Sequence, residues 1–338
     1  MTAGLPLRQM QQLARDASDA GFSGLVITEA GRTAYLSCAA AALAADIDVL
    51  TGIAVAFPRS PMVTATVAWE LADVTAGRFR LGVGTQVRAH IERRYGTEFD
   101  PPGPRMREYV AALRAIFAAF RGEDDLDHDG KFWKLSLLPP MWSPGPIDAA
   151  DPPVDIAAVN PWMLRLAGEI ADGVHVHPLN SPTYLSETVL PNLRAGATLA
   201  GRTLADLEVI VPAFVAPGAT PEERDEWREM ARVQVAFYGS TPNYAFIFDQ
   251  LGRDGTTARI REHQKVGDIA GMAAQIDDEL LEQFCVTGDW PTVADRLGER
   301  YQGVATRIVL YAAGMAWARD PASLVRWGGI ARALGGAR

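Results

Sequence analysis

Residues 81–96, LGVGTQVRAHIERRYG, place two glycines and several hydrogen-bonding side chains at the end of an apolar strand pattern. Gly82 and Gly84 interrupt the strand, and Gln86 and His90 follow closely. Glycine allows a flat ligand to approach the backbone, and amide and imidazole groups can then hydrogen-bond to it. The stretch predicts a cradle for an anionic cofactor, or a solvated loop whose glycines only bend a strand.

Three arginines continue the same segment in a chain whose net charge is −9. Arg88, Arg93 and Arg94 could meet the anionic tail of a cofactor, and an exposed helix face explains them equally well. With 41 Asp and Glu against 32 Lys and Arg, the chain is a poor candidate for non-specific nucleic-acid binding. We therefore expect a small-molecule substrate and no nucleic-acid partner.

His175 and His177 stand two residues apart in the apolar run VHVHP. In a strand this spacing puts both on one face, with the valines on the opposite face. Two inward histidines could bind a metal, as in TIM-barrel hydrolases. Because no Asp/Glu/His cluster marks a strand end, we expect no metal. We interpret His175 as an interior side chain and His177 as a hydrogen-bonding partner of a cofactor.

Two other strand ends carry polar residues. Asn160 and Pro161 suit the cap and first turn of a helix. The free amides of that turn can bind an anion, and an ordinary capped helix that binds nothing is the alternative. Glu29 follows the apolar run at 24–28, where an acid can transfer a proton or lie in a solvated loop.

The elements that must position these groups alternate between strand and helix patterns. We count about seven strand–helix units and a weak eighth strand within residues 1–7. Such alternation predicts an α/β fold with a parallel sheet, and at this length a (β/α)8 TIM barrel. We expect a single domain over residues 1–338, with 221–283 as a mostly helical insertion before the last strand. Active groups should lie at the carboxyl ends of the strands.

The composition favours a protein of the reducing cytoplasm. Cys38 and Cys285 are far apart in sequence and suggest neither a disulfide framework nor a zinc cluster. The first 21 residues lack the apolar core of a signal peptide, and no apolar run reaches 18 residues. We therefore expect a cytoplasmic location and no membrane partner.

The order of the motifs resembles that of a known family. GFSGLVITE, TGIAVAFPRSPMVTATVAWELADVTAGRFRLGVGTQV, PRMREYVAALRAIF and NPWMLRLAGEIADGVHVHP follow one another. Over roughly residues 7–335 this resembles the luciferase-like superfamily, and within it the coenzyme F420-dependent oxidoreductases. The resemblance implies a TIM barrel, commonly a homodimer, that binds FMN or the deazaflavin F420 at the mouth formed by the strand ends.

The resemblance also assigns residues to the cofactor. It implies a non-proline cis peptide behind the central ring, for which Ala54–Val55 in GIAVA is the candidate. It places the phosphate or tail at the junction formed by 158–160. The cofactor-binding residues predicted in this way, together with the glycine-rich stretch, are Ala54, Val55, Gly84, Gln86, His90, Ala158, Val159, Asn160 and His177.

The chain departs from the family pattern where protons are handled. Ala30 stands where many F420-dependent members have a histidine, and Val87 roughly where some sugar-phosphate dehydrogenases have an acid. Glu29 and His90 are therefore the candidates for proton transfer. The predicted function is F420-dependent hydride transfer to or from a small organic substrate. The alternatives are an FMN-dependent two-component monooxygenase, a metal-dependent TIM-barrel hydrolase and a non-catalytic flavin-binding protein.

Overall fold

Strands and helices alternate along most of the chain in the computed structural model, which describes residues 1–311 and 313–335. The strands are β1 (Thr2–Ala3), β2 (Gly24–Thr28), β3 (Asp48–Thr51), β4 (Ala54–Val55), β5 (Phe79–Gly84), β6 (His128–Asp129), β7 (Lys134–Leu135), β8 (Val154–Ala158), β9 (Gly173–Val176), β10 (Glu208–Pro217), β11 (Cys285–Gly288) and β12 (Arg307–Leu310).

The helices include a three-residue turn, α7, that leads into a π-helical segment at Leu185–Val189. They are α1 (Leu7–Ala20), α2 (Ala34–Ala42), α3 (Pro61–Val74), α4 (Arg88–Arg93), α5 (Pro102–Arg121), α6 (Pro161–Ile170), α7 (Pro182–Tyr184), α8 (Leu190–Leu199), α9 (Pro221–Gly239), α10 (Ala245–Asp249), α11 (Thr256–Lys265), α12 (Ile269–Ala273), α13 (Asp278–Phe284), α14 (Val293–Tyr301), α15 (Ala313–Arg319) and α16 (Leu324–Gly335). No helix within the described ranges is long and apolar enough to cross a membrane.

The chain divides into two compact units. The first unit comprises Met1–Ala158, Trp162–His175 and Leu193–Glu208. The second comprises Val159–Pro161, Val176–Asn192 and the described part of Val209–Arg338. The single domain expected over residues 1–338 stays a prediction, and Ala312 and residues 336–338 of that range lie outside the described residues.

In the first unit the strands pair in parallel, in the order β1, β2, β3, β5 and β8. Helices pack against them through apolar faces. Trp69 of α3 stacks on Phe117 of α5 with ring centroids 5.7 Å apart, and it meets Phe120 of α5 edge to face at 5.5 Å. Ser60 caps α3 by accepting a hydrogen bond from the Val63 amide. A separate antiparallel hairpin is formed by β6 and β7.

In the second unit β10 is the central strand, because it pairs in parallel with both β11 and β12. The segment expected to be helical, 221–283, contains α9 to α12 and most of α13. Two strands follow it rather than one, since Cys285–Gly288 forms β11 before β12. The sequence did not predict β11, a four-residue strand, CVTG, that directly follows a helix.

Candidate functional site

A non-proline cis peptide bond follows β3, between Gly52 and Ile53. The predicted position, Ala54–Val55, is wrong. Those two residues form β4 and pair in parallel with Val83 and Gly84, so their backbone is ordinary extended strand. The cis bond instead follows Gly52, where a Cβ atom would lie 2.2 Å from Cγ1 of Val26.

An apolar floor lies where β5 and β8 end in the first unit. Ile53 lies over Gly84, since a Cβ atom on that glycine would be 2.8 Å from Ile53 Cδ1 and 3.3 Å from Ala157 Cβ. Ile53 and Ala157 are half-buried, so part of each remains accessible. This floor is an apolar surface on which a flat ring can rest, and Gly84 provides the space for Ile53.

Gly82 serves the interior of the sheet rather than a ligand. A Cβ atom there would lie 2.0 Å from the Thr51 carbonyl oxygen and 2.5 Å from His175 Nε2. His175 is buried, and its Nε2 is 3.6 Å from Oδ2 of the wholly buried Asp155, to which Arg80 Nε donates at 2.9 Å. His175 is thus an interior side chain, as the sequence suggested.

Glu29 lies at the end of β2, and both of its carboxylate oxygens are engaged. Oε2 accepts from the Val55 amide at 2.8 Å and from Arg59 Nη1 at 2.9 Å, and Oε1 accepts from Arg59 Nη2. Arg59 Nη1 also donates to the Val55 carbonyl oxygen at 2.9 Å, and its guanidinium lies 5.1 Å from the Tyr35 ring centre. The pair therefore fixes β4 to the end of β2.

The polar side chains that follow β5 are either exposed or bonded to neighbouring residues of the same segment. Gln86 adopts a left-handed backbone conformation, with φ of 57°, and its Oε1 accepts from the Val87 amide at 3.0 Å. His90 lies on α4 and is exposed. Arg88 is ion-paired with Glu92 and Asp100, which balances its charge.

Of the other two arginines, Arg93 is exposed, and Arg94 Nη2 donates to the Ala30 carbonyl oxygen at 2.6 Å. The segment's cationic character is therefore partly neutralised within the chain. At the β8–α6 junction, Ala158 is buried and Asn160 is exposed. In the second unit, the Val159 carbonyl accepts from the Tyr184 hydroxyl at 2.7 Å.

His177, in the second unit, is held in one protonation state and one tautomer. The Leu179 amide donates to Nδ1 at 3.0 Å, so Nδ1 is an acceptor. Burial lowers the pKa of His177 to about 3, which keeps the ring neutral at physiological pH. A neutral imidazole that accepts at Nδ1 carries its proton on Nε2, and His177 therefore presents a hydrogen-bond donor.

Tyrosines that the sequence analysis did not identify surround His177. Tyr238 and Tyr244 have ring centroids 4.8 and 4.5 Å from the imidazole. The Tyr238 and Tyr311 hydroxyl oxygens are 2.7 Å apart. Tyr238 and Tyr244 flank the short sequence GSTPN, and this aromatic–turn–aromatic pattern in YGSTPNY could have marked the site.

His175 and His177 were also the basis of the metal-site alternative. Within residues 1–311 and 313–335, no three His, Cys, Asp or Glu side chains are grouped so that they could hold a metal ion. The contacts of the two histidines are instead with Asp155 and with the aromatic rings and amide described above.

Comparison with known sequences gives consistent matches along the chain. The sequence model of the luciferase-like monooxygenase family matches residues 1–307. An uncharacterized protein of Mycobacterium tuberculosis is 39% identical over 305 residues, covering 88% of this chain and 90% of its own. The 5,10-methylenetetrahydromethanopterin reductase of Archaeoglobus fulgidus is 27% identical, covering 89% of this chain and 88% of its own.

Solved structures show the same fold. The coenzyme F420-dependent tetrahydromethanopterin reductase of Methanopyrus kandleri has a TM-score of 0.79 at 22% identity, covering 97% of this chain and 95% of its own. The oxygenating constituent of 3,6-diketocamphane monooxygenase from Pseudomonas putida, solved with FMN, has a TM-score of 0.68 at 18% identity, covering 96% and 91%. These likenesses confirm the predicted α/β fold class of the luciferase-like TIM barrels.

Proposed function

Because the chain belongs to the luciferase-like monooxygenase family, and is therefore an oxidoreductase, we propose that it is an F420-dependent enzyme that transfers hydride between the deazaflavin and a small organic substrate. The reductase of Archaeoglobus fulgidus and the F420-dependent structure of Methanopyrus kandleri, each aligned over most of this chain, support the choice of cofactor. When bound, the deazaflavin supplies a hydride at its reactive ring carbon.

The observation that carries the proposal is the state of His177. The Leu179 amide fixes the Nδ1 acceptor, and burial holds the ring neutral, so Nε2–H is a donor before any ligand arrives. A deazaflavin carries carbonyl and ring acceptors that suit such a donor. We assign His177 to bind and orient the cofactor, with no role in proton transfer, because its pKa lies far below the working pH.

The first unit offers a surface that fits the flat ring independently. Ile53 and Ala157 provide half-buried apolar carbon beside Gly84, which has no side chain to displace them. Alongside them we assign Ala54, Val55, Gly84 and Gln86 to the ring, and Ala158, Val159 and Asn160 to the phosphate or tail. His90 keeps its predicted place at the cofactor's edge, and it and Glu29 keep their proposed roles in proton handling.

An FMN-dependent two-component monooxygenase is the second candidate. It is favoured by the fold shared with the FMN-bound 3,6-diketocamphane monooxygenase component over 96% of this chain. Turnover with reduced cofactor would distinguish either enzyme from a non-catalytic flavin-binding protein.

A cytoplasmic homodimer is a further part of the proposal, and sedimentation analysis tests the oligomeric state.

Titration with both cofactors tests the choice between them. We expect F420 to bind more tightly than FMN, because its phosphate and carboxylate-bearing tail can use cationic and amide groups beyond the ring. The difference should narrow as ionic strength rises, since Arg93 and Arg94 are exposed. Absorption and fluorescence titrations at low and high salt measure both affinities. Tighter binding of FMN at every salt concentration would instead establish the monooxygenase candidate.

Replacing His177 by alanine should weaken F420 binding by about 1–3 kcal/mol, the usual loss when a buried hydrogen bond is removed. The same fluorescence titration measures this change, and circular dichroism checks that the variant is folded. His263→Ala is the matched control, because His263 lies in the same unit, is partly exposed and is engaged by Asp268. Unchanged affinity in a folded His177→Ala variant would remove His177 from the cofactor site.

A further inference from the structure

Three polar side chains form a chain of hydrogen bonds beside His177. The Tyr238 and Tyr311 hydroxyl oxygens are 2.7 Å apart, and the Tyr311 hydroxyl is 3.5 Å from Gln234 Oε1. Tyr238 and Gln234 come from α9, and Tyr311 directly follows β12. The Tyr238 ring in turn meets the imidazole of His177 edge-on. These hydrogen-bonded side chains therefore lie beside His177, the residue assigned to the cofactor.

The donor–acceptor order of these two hydrogen bonds can reverse. With Gln234 Oε1 as acceptor, Tyr311 donates to the amide oxygen and Tyr238 donates to Tyr311. A half-turn of the Gln234 amide presents its NH2 group instead, so that Tyr311 accepts from the amide and donates to Tyr238. The Tyr238 hydroxyl hydrogen is then released from the chain and can donate to a ligand.

All three side chains are neutral and partly accessible. Burial raises the pKa of Tyr238 and of Tyr311, so both hydroxyls keep their protons at physiological pH. Each of the three side chains is half-buried and so remains partly accessible.

We propose that Tyr238, supported by Tyr311 and Gln234, donates the proton to the oxygen of a carbonyl substrate as that substrate accepts hydride. This inference rests on the proposed function, which supplies reduced deazaflavin as the two-electron reductant. The carbonyl carbon gains the hydride, the π electron pair moves to oxygen, and the Tyr238 O–H bond breaks to protonate that oxygen. Tyr238 then takes the Tyr311 proton, and water reprotonates Tyr311. The hydroxide left by that water is neutralised by the N–H proton that the deazaflavin releases on oxidation. The products are the alcohol and oxidised deazaflavin.

The test compares two hydride acceptors in the protein reduced with F420. Cyclohexanone needs a proton as well as a hydride, whereas the 10-methylacridinium cation becomes neutral by accepting hydride alone. Tyr238→Phe should slow cyclohexanone reduction about a hundredfold or more, the usual contribution of a positioned acid. It should leave acridinium reduction and F420 affinity unchanged, and it should abolish the solvent isotope effect seen with cyclohexanone. Tyr311→Phe should give a smaller loss in the same direction.

A readout without turnover accompanies the kinetics. The C=O stretch of isotope-labelled cyclohexanone bound to the protein should shift to lower frequency in the wild type and return toward its free value in Tyr238→Phe. Tyr109→Phe is the control for losing a buried tyrosine hydroxyl, because the Tyr109 hydroxyl lies 2.5 Å from the Thr64 hydroxyl in the first unit. It should change neither the stretch nor the ratio of the two rates.

The outcomes separate the inference from the proposed function. If the wild type binds F420 and reduces acridinium but not cyclohexanone, or if Tyr238→Phe slows both acceptors equally, the inference is wrong and the proposed function stands. If the wild type neither binds F420 nor reduces acridinium, the proposed function fails and the inference falls with it.

Discussion

Glu29→Ala is expected to lower the free energy of unfolding by about 3–5 kcal/mol, the usual cost of removing one partner of a buried ion pair. The Glu29 and Arg59 side chains are only 5% and 20% exposed, so the guanidinium would be left without its counter-ion in a largely dry setting. The Val55 amide would lose its acceptor at the same time. Urea denaturation of the wild type and the variant measures the difference.

The double variant Glu29→Ala/Arg59→Met is the control for this interpretation. Methionine removes the charge and retains apolar volume, so the double variant should be more stable than Glu29→Ala alone. A loss below about 1 kcal/mol in Glu29→Ala would contradict a stabilising role for the pair. Glu29→Gln then addresses proton transfer, since a change in the pH profile of turnover without loss of stability would support the catalytic role predicted from sequence.

The sequence predicted the parts of the fold that depend on local periodicity. GLVIT at 24–28 is recognisable because a short apolar run between polar residues is typical of a buried parallel strand, and it forms β2 with these bounds. The break at Gly52 was not predictable in this way, because the apolar run continues through GIAVA. What excludes a side chain at Gly52 is Val26, which belongs to another strand.

The residues of the candidate site divide in the same way, into those that local sequence predicts and those that depend on contacts between distant residues. Period-two spacing placed His175 in the interior, and the resemblance to the family assigned His177 to the cofactor, so neither prediction needed residues distant in the chain. Tyr238 and Tyr311 are 73 residues apart in the chain, and their hydroxyls meet only because α9 and the end of β12 come together. Arg59 likewise stands 30 residues from Glu29, so the occupation of that carboxylate had no local sequence pattern.

Gly82→Ala should destabilise the protein by about 3 kcal/mol or more, at the upper end of the cost of overpacking a core. The new Cβ would lie 2.0 Å from the Thr51 carbonyl oxygen, which is backbone and cannot rotate away, and 2.5 Å from His175 Nε2. The Thr51 hydroxyl also donates to the Gly82 carbonyl at 2.8 Å, so moving either strand breaks a buried hydrogen bond. Urea denaturation again provides the measurement.

Gly298→Ala is the matched control, because the substitution is the same and only the surroundings differ. Gly298 lies within α14, and a Cβ atom there would have no neighbour within 4 Å. Alanine is the better helix former, so this variant should be more stable than the wild type by about 0.5–1 kcal/mol. Opposite signs for the two variants would show that close contact with Thr51 and His175, rather than backbone flexibility, requires glycine at 82. A Gly82→Ala variant as stable as the wild type would contradict that conclusion and would mean that the sheet interior can make room beside His175.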